Sequence, residues 1–257
     1  MARPTGDGAP GRHQTGRHQT GRPQDGAAWP RAGERRQLAD AVAREVRATA
    51  RELGFDRLDD DVRAALERVP RHLFVPERDR ADAYANRPLP IGHGQTISQP
   101  YIVAITTQLC RPGPDSRVLE IGTGCGYQAA MLAELAREVI SLEAVPELAE
   151  SARSRLTELG YANVRVIAGD GSHGRPDAAP FDAIAVTAAA PASVRAALAE
   201  QLAPGGRLVV PVEPDGGRAL MGAQDLCLVT KDADGRTHSR SVLPVAFVPL
   251  IAGDRRA

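Results

Sequence analysis

Between Ser116 and Val212 the chain repeats one unit: a short apolar run, a stretch of helical spacing, then another run. "RVLEIG", "EVISLEA", "NVRVIAGD", "FDAIAVTAA" and "RLVVPV" read as strands. "YQAAMLAELAR", "PELAESARSRLTELG" and "ASVRAALAEQLAPGG" read as helices, the second opening with Pro146 at its first position. Strands this apolar are covered on both faces, and the intervening helices supply the cover. Such crossovers are right-handed and make the strands parallel. The alternation therefore predicts an α/β fold built on a doubly wound, mainly parallel sheet. "DLCLVTK" and "SRSVLPVAFVPL", joined by the "DADGR" turn, read as two antiparallel strands added at one edge.

Upstream of the alternation the pattern changes twice. Residues 1–33 contain the tandem repeat "GRHQTGRHQTGRPQDG", which has nothing apolar to bury and predicts a disordered tail. His13 and His18 within it read as solvated side chains rather than metal ligands. From residue 34, "RRQLADAVAREVRATARELG" has the spacing of a single helix closed by Gly54. "LDDDVRAALERVP" is a second helix, opened by aspartates and stopped at Pro70. "RHLFVPER" reads as extended or turn. Residues 34–257 are thus expected to form one domain, with 34–115 as an N-terminal helical layer and 116–257 as the sheet.

Charge narrows the partners. Formal net charge is zero and the pI is near 7.0, with 42% hydrophobic and 25% charged residues. A neutral surface removes the electrostatic case for nucleic acid or an acidic membrane. The three cysteines, Cys110, Cys125 and Cys227, are scattered, odd in number and without metal-ligand spacing. A reduced, cytoplasmic protein with no metal is expected. No segment has the apolar length of a signal sequence core or a membrane span.

The chemistry concentrates after the first strand of the alternation, in "VLEIGTGCGYQ". Gly122, Gly124 and Gly126 make a turn tight enough for a ligand to meet bare backbone at a helix N-terminus. The dinucleotide pattern G-x-G-x-x-G fails because position 127 is tyrosine. The pattern is E-x-G-x-G-x-G, led by Glu120, and suits a nucleoside cofactor without a pyrophosphate. Glu143 ends the next strand about 20 residues after Gly122, where a carboxylate accepts from ribose hydroxyls. Asp170 and Gly171, in "AGDGS", end the third strand, where an aspartate accepts from an adenine amino group; a plain Asp-Gly turn is the competing account.

These residues together resemble class I S-adenosylmethionine-dependent methyltransferases. The resemblance then narrows. "PIGHGQTISQPYIV", "VLEIGTGCGYQAA", "GDG", "PFDAIAVTAAAP", "LAPGGRLVVPV" and "VAFVPLI" look, in that order, like the protein-L-isoaspartate O-methyltransferase family, from about Val69 to Ile251. The resemblance implies a Rossmann-like methyltransferase sheet and S-adenosyl-L-methionine as methyl donor. It implies donor contacts from Glu120, Gly122, Thr123, Gly124, Gly126, Glu143, Ala144, Asp170 and Gly171, with Thr96 and Ile97 from the "GQTISQP" segment. It implies acceptor contacts from Gln95, Ser98, Thr187 and Ala188, with Ser98 as the catalytic residue. The partners implied are isoaspartyl proteins and peptides, with no nucleic acid or membrane, and the protein is expected to be a monomer.

Carboxyl methylation explains why "GQTISQP" carries hydroxyls and an amide. An isoaspartyl carboxylate is ionised at neutral pH and is itself the nucleophile, so a general base is unnecessary. The protein has to strip water from it and hold it in line with the methyl group. Neutral hydroxyl and N–H donors do this without clamping the ground state. Ile97 is expected to pack inward and Pro100 to start the next helix, leaving Ser98 to meet the acceptor. The competing account of Ser98 is an N-cap for that helix. Two other functions stay open at this point: a carboxyl methyltransferase dedicated to an aspartate of one biosynthetic peptide, and a fold kept only as a binding module. The chain departs from the family pattern at Glu213 and across the insertion at 214–225.

Overall fold

A computed structural model describes residues 29–212 and 224–253. The repeat with His13 and His18, and Glu213 with the following insertion to residue 223, lie outside the described residues. Helix α1 (Ala32–Ala48) begins ahead of residue 33, where the tail was expected to end. The buried Arg35 explains the early start: it donates to the carbonyls of Trp29, Pro30 and Glu67, while Trp29 packs against the core.

The single helix expected up to Gly54 is broken in two, α1 and the short α2 (Ala50–Leu53). The break is at Thr49, whose hydroxyl bonds the Glu45 carbonyl at 2.9 Å and the Tyr101 hydroxyl at 2.6 Å. A threonine that bonds the preceding turn and a neighbouring helix competes with the helical ladder. Gly54 is the left-handed cap, φ 82°. Helix α3 (Asp60–Arg68) follows, and the segment read as extended instead forms two 3₁₀ turns, Arg71–Leu73 and Glu77–Asp82. Short 3₁₀ turns are frequent connectors of this kind.

"PIGHGQTI" is a hairpin, with β1 (Leu89–Gly92) antiparallel to β2 (Gln95–Ile97). Its turn needs left-handed backbone at Gly92, His93 and Gly94. Helix α4 (Pro100–Cys110) starts at its proline and is buried almost throughout.

The main sheet comprises β3 (Arg117–Ile121), β4 (Glu138–Glu143), β5 (Val164–Ala168), β6 (Phe181–Val186), β7 (Leu202–Val212), β8 (Gln224–Lys231) and β9 (Thr237–Val245). Its order is β5-β4-β3-β6-β7-β8-β9, parallel through β7 and antiparallel for the last two strands. Helices α5 (Tyr127–Ala133), α6 (Pro146–Glu158) and α7 (Ala192–Glu200) complete the alternation. Helix α7 stops at Glu200 rather than running through "LAPGG", because proline and paired glycines do not continue a helix. Those residues enter β7 through a register shift between Phe181 and Ala183. The last strand also ends early, at Val245. The chain then leaves the sheet edge and crosses to the segment that follows β6, where Ala189 N–H donates to Val248 O and Leu250 N–H donates to Ala189 O.

Apolar side chains pack both faces of the sheet. One core joins α1, α3, α4 and α5 to the sheet through residues such as Leu66, Ile105 and Val139. The other lies under α7 around Leu119, Ile184 and Leu208. Among the described residues no helix is long and apolar enough to cross a membrane.

Candidate active site

Parallel register sets the site. Ile121 pairs with Leu142 and Val186, and Glu143 pairs with Ala168, so β3, β4, β5 and β6 end at one edge of the sheet. The chain reverses direction across the sheet between β3 and β6, and open α/β sheets bind ligands at such a point. A cavity lies there, between the glycine loop that follows β3 and the β1–β2 hairpin.

The glycine loop forms its floor. Gly122 has φ 93°, and a β-carbon on it would collide with the Thr187 hydroxyl. That hydroxyl donates to the carbonyls of Gly122 and Ile121, fastening β6 to the loop across the switch point. Gly124, φ 53°, lies under Ile91 of the hairpin. Gly171 is packed so that a β-carbon would meet Ile121 at 2.6 Å. All three glycines line the cavity with bare backbone.

Glu143 stands at the cavity wall, 6% exposed. Its Oε2 accepts from Gly124 N–H at 2.7 Å and its Oε1 from Val145 N–H at 2.9 Å. The loop thereby fixes the carboxylate while lone pairs remain for diol hydroxyls. Ala144 and Thr123 line the same wall.

Three of the expected donor residues do not line the cavity. Glu120 lies beneath the loop, fully buried, accepting from Ser141, whose hydroxyl is 2.5 Å from that of Thr123. Its Oε1 has no partner, and burial pushes the carboxyl up to about 8, against the Ser141 bond and helped by the nearby Glu143. Gly126, φ 90°, packs on Leu156 at the start of α5. Asp170 makes the Asp-Gly turn that competed with adenine recognition: Oδ1 accepts from Ser172 N–H at 2.8 Å and Oδ2 from Gly253 N–H at 2.7 Å. Burial pushes the Asp170 carboxyl up, and these backbone donors more than reverse it, leaving it below the usual carboxylate value.

The hairpin forms the roof. Gln95, Thr96, Ile97 and Ser98 all line the cavity, with Ile97 packed inward at 3% exposure. The helix that follows is capped from Gln99, not Ser98, so the N-cap account of Ser98 fails. A second cavity opens beside the first, between Glu45, Thr49 and Glu52 on one side and Leu243 to Val248 on the other. Thr96, Ser98, Thr187 and Val248 line both cavities. Ala188 lines only the first.

Sequence reasoning missed two contributors. Val248, Pro249, Leu250 and Ile251 close the first cavity; their signal was a proline within an apolar run that had been read as strand. Arg71 is fully buried and donates to the carbonyls of Ala83, Arg87 and Ser98; its signal was a lone cation inside "VPRHLFVP". Among the described residues, no histidine lines either cavity. His93 is exposed in the hairpin turn. His72 bonds Tyr84, and burial with nearby arginines pushes it down to about 4. The Cys125 thiol is buried in the loop and pushed up by burial.

Residues 45–255 match the family model described as protein-L-isoaspartate(D-aspartate) O-methyltransferase. The chain is 53% identical over 224 residues, 87% of its length, to protein-L-isoaspartate O-methyltransferase 2 of Syntrophobacter fumaroxidans, covering 88% of that protein. It is also 53% identical to protein-L-isoaspartate O-methyltransferase 2 of a Polaromonas species, with 83% of this chain and 98% of that one covered. Among solved structures, a protein-L-isoaspartate O-methyltransferase superposes with a TM-score of 0.71 at 27% identity, over 86% of this chain and 66% of that one. The Plasmodium falciparum protein in complex with S-adenosyl-L-homocysteine superposes with a TM-score of 0.67 at 25% identity, over 84% of this chain and 97% of that one.

Proposed function

Because the chain belongs to the protein-L-isoaspartate(D-aspartate) O-methyltransferase family, we propose that its first cavity holds S-adenosyl-L-methionine and that Ser98 presents the acceptor carboxylate from the second. The protein is an S-adenosylmethionine-dependent carboxyl methyltransferase that acts on isoaspartyl residues. The observation that carries the assignment of roles is the position of Ser98 on the wall common to both cavities.

When bound, the donor supplies an electrophilic methyl group on a sulfonium, a strong leaving group. The chain's own residues bind, orient and dry. Glu143, preset by two backbone N–H groups, accepts from the ribose diol. Gly122 and Gly171 present bare backbone at the cavity wall, and Thr123 fixes the loop through Ser141 and Glu120. Val248 to Ile251 exclude water from the reacting centre.

On the acceptor side the carboxylate is already ionised. The Ser98 hydroxyl donates to it, and Thr96 and Thr187 narrow its approach. A neutral donor orients this nucleophile without holding it as tightly as a guanidinium. Methylation gives an ester, a better leaving group than the carboxylate. The next backbone nitrogen then displaces methanol and closes a succinimide, the first step of repair.

We further propose that residues 34–257 work as one domain and that the protein is a cytoplasmic monomer; three free, buried cysteines support the reduced compartment. The test is transfer of labelled methyl to an isoaspartyl peptide with its aspartyl twin as control. Label on the isoaspartyl peptide alone is expected, and equal labelling of both overturns the assignment.

A further inference from the structure

Arg71 is a buried cation without a counter-ion. It is fully inaccessible to solvent, and among the described residues no carboxylate lies within ion-pair distance of it. Its Nη1 has no hydrogen-bond partner. An uncompensated charge in a protein interior costs several kcal/mol, so a guanidinium used only to fill space is a poor choice there.

What it holds is specific. Nε donates to Ala83 O at 2.9 Å, and Nη2 donates to Ser98 O at 2.9 Å and to Arg87 O at 3.3 Å. Its guanidinium carbon lies 4.8 Å from the centroid of the Tyr127 ring. Tyr127 is the first residue of α5 and lines the donor cavity. One side chain therefore touches the acceptor side through the Ser98 carbonyl and the donor side through the ring.

Ser98 needs such a hold. The last hairpin pair is Leu89 with Ile97, and the first backbone bond of α4 runs from Val103 N–H to Gln99 O. Ser98 falls between the two ladders, and Arg71 grips its carbonyl there.

We infer that Arg71 is a positioning residue for methyl transfer: by fixing the Ser98 carbonyl it sets the direction of the Ser98 hydroxyl. The inference rests on the reading that Ser98 meets the acceptor. It assigns Arg71 no contact with the acceptor. The planar fork matters, because three carbonyls from two chain segments converge on it and an ammonium does not reproduce that geometry.

The test is a double-mutant cycle of Arg71→Lys with Ser98→Ala, measuring kcat and KM on an isoaspartyl peptide and S-adenosyl-L-homocysteine binding by calorimetry. Arg71→Lys is expected to lower kcat on the order of tenfold with cofactor affinity unchanged. The double variant should lose no more than Ser98→Ala alone, since both changes remove one function. Arg71→Gln, which removes the uncompensated charge and so relieves the cost of folding, should show the same loss. Losses that multiply, an unchanged kcat in both Arg71 variants, or a parallel loss of cofactor affinity overturn the inference while leaving the role of Ser98 intact. A wild-type rate for Ser98→Ala overturns both.

Discussion

The backbone N–H of Gly253 donates to Oδ2 of Asp170 across a 2.7 Å gap. A carboxylate at the end of the third parallel strand thus clasps the segment that closes the first cavity. Asp170→Ala should release Val248 to Ile251 and weaken S-adenosyl-L-homocysteine binding about tenfold, a change of roughly 1.4 kcal/mol. Asp170→Asn keeps one acceptor oxygen and should lose less. Calorimetry on the three proteins checks the order.

Ser98→Ala should reduce kcat for an isoaspartyl peptide by a factor on the order of 10² while leaving cofactor affinity nearly constant, the pattern of an interaction made mainly in the transition state. Steady-state kinetics with a separate binding measurement decides it. A loss of cofactor binding instead assigns the hydroxyl to the donor side.

Glu143→Gln keeps the shape of the side chain but loses one of the acceptors that bond the Gly124 and Val145 N–H groups. Cofactor affinity should fall by roughly 10²-fold, as expected for a lost charge-assisted contact. Activity at saturating donor should recover most of its wild-type value.

Gly122→Ala forces a β-carbon into the Thr187 hydroxyl at a backbone angle that favours glycine. It should destabilise the fold by about 1–3 kcal/mol and abolish donor binding. Adding Thr187→Ala removes the clash but not the strain. Denaturant unfolding should therefore show partial recovery in the double variant.

Glu120 gives a pH signature. Its carboxyl is raised from 4.5 to about 8, first by burial. Between those values the folded state holds a proton that the unfolded chain has released, so this contribution is full below pH 4.5 and is lost as pH rises through 8. Glu120→Gln cannot ionise and should lose less stability than wild type over that interval. Denaturant midpoints from pH 5 to 8.5 test the difference in slope.

Much of this arrangement is legible in the chain. Apolar runs with short connections announce the parallel sheet, and the glycine loop with Glu143 at the next strand end marks the first cavity, because those features are local. What escaped is long-range. Thr49 breaks its helix to reach Tyr101, 52 residues away. Asp170 turns to Gly253 rather than outward into the cavity. Arg71 serves Ser98 from 27 residues upstream. Each depends on a partner that spacing along the chain does not reveal.

The walls of the second cavity come from opposite ends of the described chain: Glu45, Thr49 and Glu52 on one side, Leu243 to Val248 on the other. Arg240 ties them together through the carbonyls of Glu52 and Leu53. During synthesis the glycine loop emerges long before that second wall, so a ribosome-bound intermediate has no complete groove. A chain lacking the residues from Leu243 onward lacks one wall of that cavity.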